Sequence, residues 1–349
     1  MKSILPKSHL AALYKGIGIL NVEEVPIKYP RADNCLIRVH SCGICGSDLH
    51  TYRGNSTRNT FEEWLKLGFA DGHEYTGEVV AVGDNVEHIT PGMRVAVECT
   101  RHCGRCFSCK RGLYNICLDR RDLVWRGHGG FSEYAMAPEQ AVYPIPDILT
   151  DDQASLIEPL ACALRSVHRS GAVAGHSVVV AGGGTIGILC VYILKTIYGS
   201  RVYQICKYGH QSEFAKSLGV DHTVKPGEIG QELADIAIDA VGYDSSFNDA
   251  LAAVKRGGTV VLVGAATGPR TVELGSIVGK ELDIKGSLTY AHQYSQPDFQ
   301  MTIDLLSSGV FDPSAIITHR FPLTQIGDAF QTGLDKNNLS IKVQIKYTR

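Results

Sequence analysis

Cys45, His73 and Glu74 are the residues in this sequence whose types and spacing point first to chemistry. They lie in CGICGSDLH (42–50) and GHEYTG (72–77) and offer a thiolate, an imidazole and a carboxylate. Those donors suit a borderline metal such as zinc. Two protein ligands with one or two carboxylates leave a coordination position open, the pattern of a catalytic rather than a closed site. Glu74 is either a third ligand or a carboxylate that trades places with water. Asp48 is suited to hold the second ring nitrogen of His73 and so fix its tautomer. Glu158, in LIEPLA (156–161), is a further carboxylate that could bind the metal directly or through its water. Ser47 and His50 are placed to carry a hydroxyl proton outward. Each residue also has a plainer reading. Cys45 and His73 could be satisfied core residues, His50 a surface residue, and Glu158 a carboxylate favoured at a helix N-terminus. Their grouping in one stretch argues for the metal. Cys42, Cys99, Cys162 and Cys190 read as inert core residues.

A second cluster has a different character. Cys103, Cys106, Cys109 and Cys117 follow the spacing C-x2-C-x2-C-x7-C. Four thiolates close a tetrahedral zinc site and leave no place for substrate, so the expected role is structural. Metal-free surface thiols and an iron–sulfur cluster are the alternatives, the latter with an unusual last spacing.

A third signal is a phosphate-binding turn. The apolar run SVVVA (177–181) leads into GGGTIG (182–187), where Gly182, Gly184 and Gly187 match G-x-G-x-x-G. The first glycine allows a tight turn, the second a close approach of pyrophosphate, the third helix–strand packing. Thr185 and Ile186 open the following helix, whose N-terminus would receive the phosphates. The end of the next strand reads QICKYGH (204–210) and carries no acid to bind the ribose hydroxyls of NAD. At Cys206 that acid is missing, and Lys207, helped by His210, could meet a 2′-phosphate. NADP is therefore expected over NAD. With zinc and a dinucleotide together, the expected reaction is hydride transfer, with zinc stabilising charge on the alcohol or carbonyl oxygen.

These residues need elements to hold them. The chain has 349 residues, 44% of them hydrophobic, enough for two domains. Short strand-like runs divided by turns fill the first 150 residues or so: LIRVHSCGI, TGEVVAVG, RVAVEC and AVYPIP. They suggest a barrel-like β domain. FEEWLKLGF (61–69) is a short helix candidate, and DDQASLIEPLACALRSVHRSG (151–171) reads as one helix ending at Gly171. From there strands and helices alternate, as in a parallel sheet covered on both faces, with SFNDALAAVKRGG (246–258) a helix stopped by two glycines. The last strand, IKVQIKY (341–347), needs a sheet to join and is assigned to the first domain. The expected division is 1–152 completed by 290–349, and 153–289. A formal charge of −2 gives no case for nucleic acid or a membrane surface. Residues 1–13 lack the apolar core of a secretion signal, and eleven cysteines without one point to reduced thiols and metal in the cytoplasm.

Taken together, CGICGSDLH, GHEYTGEVVAVG (72–83), the four-cysteine loop, IEPLACA (157–163) and AGGGTIG (181–187) resemble the zinc-containing medium-chain dehydrogenase/reductase family, and within it the sorbitol, polyol and butanediol dehydrogenase branch. The resemblance covers nearly the whole chain. It implies a GroES-like β-rich catalytic domain with an α/β Rossmann domain, a doubly wound parallel sheet, inserted before the C-terminal segment. It implies a catalytic zinc at Cys45, His73 and Glu74 with Glu158 at the metal or its water, and a second, structural zinc. It places Arg320, in THRF (318–321), near cofactor or substrate hydroxyls, and it implies a homodimer or homotetramer. The loop 53–70 departs from the family pattern before GHE and is expected to line the substrate mouth. The expected activity is oxidation of a polyol, cyclitol or vicinal-diol secondary alcohol, or reduction of its ketone. An NADPH-dependent biosynthetic carbonyl reductase is the alternative, and a non-catalytic zinc- and dinucleotide-binding protein a more remote one.

Overall fold

The computed structural model describes residues 5–55, 66, 72–119, 121–122, 129–265, 268–292 and 296–348. The helix candidate at 61–69 and most of the loop 53–70 lie outside them. The chain forms two compact units, Met1–Glu158 with His292–Arg349, and Pro159–Ala291. The first division falls a few residues after Asp152, because helix Asp151–Ser155 packs on the first unit's sheet.

In the first unit, β1 (Ser8–Gly16) and β2 (Ile19–Pro26) form an antiparallel hairpin. β3 (Asn34–Gly43), β4 (Glu74–Val82) and β5 (Arg94–Val97) follow. β6 (Thr100–Arg101) and β7 (Arg121–Asp122) are a short pair flanking the four-cysteine loop. β8 (Tyr134–Pro138) and β9 (Val142–Pro144) complete the N-terminal strands. The second unit supplies β10 (Ser177–Ala181), β11 (Arg201–Ile205), β12 (His222–Val224), β13 (Ala234–Asp239), β14 (Val254–Leu262) and β15 (Asp283–Gly286). β16 (Ile317–Pro322) and β17 (Lys342–Lys346) then return to the first unit.

The first unit's main sheet has the order β16-β17-β3-β4-β5-β9, with β8 paired to β3. β17 runs antiparallel to β3, setting Gln344 opposite Gly43 and Ile345 opposite Cys42. β3 meets β4 in the register Gly43 opposite Glu74. The apolar positions of these strands, among them Ile37, Val39, Val79, Val95 and Ile345, close on Phe131 and Phe330 to make the core. That burial is the main driving force for the unit. It also fixes register, since a one-residue slip would turn every such side chain to the opposite face.

The second unit is an all-parallel sheet in the order β12-β11-β10-β13-β14-β15. Numbered within the unit this is 3-2-1-4-5-6, the doubly wound dinucleotide-binding order with its switch point between the first and fourth strands. Val178, Val179 and Val180 are fully buried, as a strand covered on both faces requires.

Two elements differ from the sequence expectation. The stretch 151–171 is two helices, Asp151–Ser155 and Ile157–Ser170, with a turn at Leu156. Helix Asp244–Ala253 ends before VKRGG, which instead opens β14. Val254 pairs with Ala234 of β13, and the Gly257 amide bonds the Lys280 carbonyl, so pairing captures residues whose local signal was a helix end.

Candidate active site

Cys45 sits immediately before helix Gly46–Tyr52 in extended conformation (φ −84°, ψ 157°), at the point where β3 hands over to the helix. Asp48, three residues on, accepts the Cys45 amide through Oδ2 at 2.8 Å, an N-terminal cap that anchors the turn. His73 and Glu74 lie at the start of β4. The β3–β4 register brings the two segments together: one donor atom from each of Cys45, His73 and Glu74 lies within 4.8 Å of the others. Gly43, opposite Glu74, is needed there, because a Cβ at that position would stand 2.1 Å from Glu74 Oε2.

Asp48 Oδ1 faces His73 Nδ1 at 3.5 Å, longer than a good hydrogen bond, and neither atom has another hydrogen-bond partner among the described residues. Burial pulls the His73 imidazole down, but Asp48 and Cys45 outweigh it and push it well above its ordinary value. Burial pushes the Asp48 carboxyl up. A thiol, an imidazole and a carboxylate whose donor atoms lie within 4.8 Å of one another form a set that one divalent cation can bridge. Sulfur, nitrogen and carboxylate oxygen are the donors of catalytic zinc, so the residues fit the metal.

Glu158 opens helix Ile157–Ser170 and is buried. It stands outside the compact trio, but its charge acts on both His73 and Lys342. Its Oε1 accepts from the thiol of Cys99 at 3.7 Å, so Cys99, expected to be inert, has the carboxylate beside it. Ser47 and His50 are half-buried in helix Gly46–Tyr52. Burial, with Arg53 nearby, lowers the His50 imidazole below its ordinary range.

Lys342 was not legible as a site residue. On β17, 2% exposed, it donates to Glu74 Oε2 and to the Ile44 carbonyl at 3.1 Å. Burial disfavours its charge, but Glu74 and Cys45 hold it above the usual lysine range. No spacing rule connects residues 268 positions apart. In KVQIK the polar Lys342, Gln344 and Lys346 alternate with Val343 and Ile345, so the pattern alone would turn Lys342 toward solvent.

In the loop after β6, four sulfur pairs among Cys103, Cys106, Cys109 and Cys117 lie 3.5 to 4.0 Å apart. Tetrahedral zinc with bonds of about 2.3 Å requires about 3.8 Å between sulfurs, and a disulfide about 2 Å. Backbone amides of Cys103, Cys106 and Asp119 point at these sulfurs. Amides of Cys109 and Leu118 hold the Cys106 thiol down, to about 6. The cluster fits a closed metal site.

The second unit carries a cavity of about 880 Å³ at the switch point, lined by Gly182, Gly183 and Gly184 on one side and Val241, Tyr243 and Arg270 on the other. Gly182 takes φ +111°, and a Cβ on Gly187 would stand 2.0 Å from the Gly182 carbonyl, so the turn and the helix contact both need glycine. Around Gly184 nothing lies within 4 Å of a Cβ, which leaves its backbone open to a ligand. Thr185, Ile186 and Gly187 form the first turn of helix Thr185–Thr196. Gln204, fully buried on β11, donates to the Gly182 carbonyl at 3.0 Å and steadies the turn.

Lys207 lines this cavity, its ammonium 5.6 Å from the Tyr208 ring centre. Cys206 and His210 are not in the lining. Cys206 is buried, which pushes its thiol up to about 11, and His210 stacks on Tyr208. No sequence motif marks Tyr243 or Arg270, whose guanidinium lies 5.2 Å over the Tyr243 ring. Arg320 has a partner rather than an open guanidinium. It binds Asp152 Oδ2 at 2.7 and 3.1 Å and the Ile317 carbonyl at 3.2 Å, within the first unit.

Comparison with known proteins agrees with this geometry. The alcohol dehydrogenase GroES-like domain family matches residues 31–147, and the zinc-binding dehydrogenase family residues 185–308. Sorbitol dehydrogenase of Bacillus subtilis is 30% identical over 357 residues, covering 99% of each chain. RspB of Escherichia coli CFT073, an alcohol dehydrogenase structure complexed with NADH, superposes with TM-score 0.87 at 29% identity, covering 98% of this chain and 100% of that one. A zinc-binding dehydrogenase of Sinorhizobium meliloti bound to NADP gives 0.86 at 28%, with the same coverage. With both units matched and such identity along its length, the chain belongs to the zinc-containing medium-chain dehydrogenase/reductase family, as a relative of the polyol dehydrogenases.

Proposed function

We propose that this zinc- and dinucleotide-dependent oxidoreductase interconverts a secondary alcohol of a polyol, cyclitol or vicinal diol with its ketone. The observation that carries this reading is the convergence of Cys45, His73 and Glu74, in a chain whose relatives include sorbitol dehydrogenases. Cys45, His73 and Glu74 would hold the catalytic zinc, with Glu158 beside it as ligand or partner of its water. When bound there, zinc supplies a Lewis acid that stabilises negative charge on a substrate oxygen. The chain's own residues do the rest. Asp48 orients the His73 ring from its Nδ1 side. Lys342 shares the Glu74 carboxylate and so limits how much negative charge it offers the metal. Ser47 takes the substrate hydroxyl proton and His50 passes it outward, as the uncharged base its lowered pKa favours. Gly182 and Gly184 let pyrophosphate approach the backbone at the N-terminus of helix Thr185–Thr196. The four-cysteine site is structural.

For the cofactor, we assign a modest preference for NADP. Lys207 lines the cavity, and no acidic residue ends β11 to bind ribose hydroxyls. A preference of that kind favours the second reading, a biosynthetic reductase that runs toward the alcohol. The eleven free cysteines suit a reducing compartment, and we assign a cytoplasmic homodimer or homotetramer. Among the described residues no helix is long and apolar enough to cross a membrane. The test follows absorbance at 340 nm with NAD and NADP against a panel of polyols and their ketones. Turnover of at least one such pair is expected. Zinc-loaded protein that turns over none of them sinks the assignment, and equal Kd values for the two dinucleotides remove the role of Lys207.

A further inference from the structure

Cys99 lies on the segment that runs from β5 into the four-cysteine loop. It is 2% exposed, and its sulfur reaches two oxygens: Glu158 Oε1 at 3.7 Å and Thr100 Oγ1 at 3.8 Å. Its backbone is held from both sides. The Glu98 amide bonds the Ala141 carbonyl at 2.8 Å, and Thr100 pairs with Asp122 across β6 and β7. Glu158, by contrast, has a long side chain whose terminal torsion is broad and which must hold one orientation to act on a neighbouring site. A thiol suits that task. It donates, though weakly, and adds no charge to a pocket that already contains Asp48, Glu74 and Glu158.

We propose that Cys99 is a positioning residue for Glu158: its thiol donates to Oε1 and fixes the carboxylate's orientation toward the Cys45–His73–Glu74 donors. The inference rests on the role given above to Glu158. It gives the segment before the four-cysteine loop a task in the reaction, namely to present one sulfur at one carboxylate oxygen.

The test is a double-mutant cycle on the zinc-loaded full-length protein with Cys99→Ala, Glu158→Gln and the pair, supported by Cys99→Ser. Cys99→Ala is expected to lower kcat about three- to tenfold, with the KM for dinucleotide and the thermal midpoint little changed. Cys99→Ser, which restores a donor, recovers rate. In the Glu158→Gln background, Cys99→Ala costs nothing further. The visible spectrum of the cobalt-substituted protein reads the ligand field without turnover; it should change in Cys99→Ala and return toward wild type in Cys99→Ser. Losses that multiply in the double variant, no recovery with serine, or a Cys99→Ala protein with wild-type rate and spectrum overturn the proposal while Glu158 keeps its role. If Glu158→Gln alone retains full rate, the role of Glu158 falls, and that of Cys99 with it.

Discussion

Lys342 and Glu74 face each other with almost no water to share their charges. Removing one partner of such a pair strands the other, and that typically costs about 3–5 kcal/mol. Lys342→Met is therefore expected to lower the unfolding free energy of chelator-treated protein by about 3 kcal/mol in urea. The loss should be smaller with zinc present, because the metal also neutralises Glu74. Equal losses under both conditions would place the effect of Lys342 elsewhere. The metal donors were readable because they come as short motifs, CGICGSDLH and GHE, that carry their chemistry in residue type and spacing. Lys342 and Cys99 were not, since each meets its carboxylate only through sheet register and chain crossing. Arg320 has a partner, Asp152, that no local pattern announces.

The strand, turn and helix from Ser177 to Thr196 support a sharper contrast. Gly187→Ala puts a methyl group 2.0 Å from the Gly182 carbonyl, so backbone must move; a markedly lower thermal midpoint is expected together with lost dinucleotide binding. Gly184→Ala meets nothing within 4 Å, so it should fold with a nearly unchanged midpoint. Calorimetric titration should nonetheless show Kd for the dinucleotide raised by roughly tenfold or more, since the methyl group enters the phosphate's space. If both variants lose stability equally, the separate duties of the two glycines are wrong. Another element-level expectation concerns helix Asp151–Ser155, whose Asp152 binds Arg320 and Lys346. Burial works against the Asp152 carboxylate, but Lys346 and Arg320 outweigh it and hold its pKa below the usual value of 3.8. A depressed carboxylate contributes stability above its unfolded pKa and loses it as pH falls through the folded one. Stability should thus decline below about pH 4, and Asp152→Asn should flatten that decline in denaturant titrations. Strands and helices with strong periodicity were legible at this scale. The break at Leu156 was not, although Pro159, which has no amide to offer Ser155, stands in the first turn after it. Nor was the capture of 254–258 by β14, where sheet pairing overrode the local helix signal.

The whole chain joins a β-rich unit with a doubly wound one, and that much followed from the change in strand and helix alternation near residue 151. Its two donor clusters predict a composition as well: about two zinc ions per chain by atomic absorption, one for each closed or open donor set. Cys103→Ser should leave one zinc and lower the thermal midpoint by several degrees, with the remaining metal still at Cys45, His73 and Glu74. Retention of both ions would show that the four sulfurs are not one site. The position of β17 has a consequence in time. It completes the first unit's sheet and delivers Lys342 to Glu74, yet it is made after every residue of Pro159–Ala291. On the ribosome the inserted unit is fully synthesised while the first still lacks its last strands, and domains fold as units as they emerge. The N-terminal half therefore waits, with β8 already on the Asn34–Arg38 end of β3 but Ser41, Cys42 and Gly43 unpaired on that side and Glu74 short of its lysine, until the final residues arrive. Translation order makes the oldest part of the chain the last to finish.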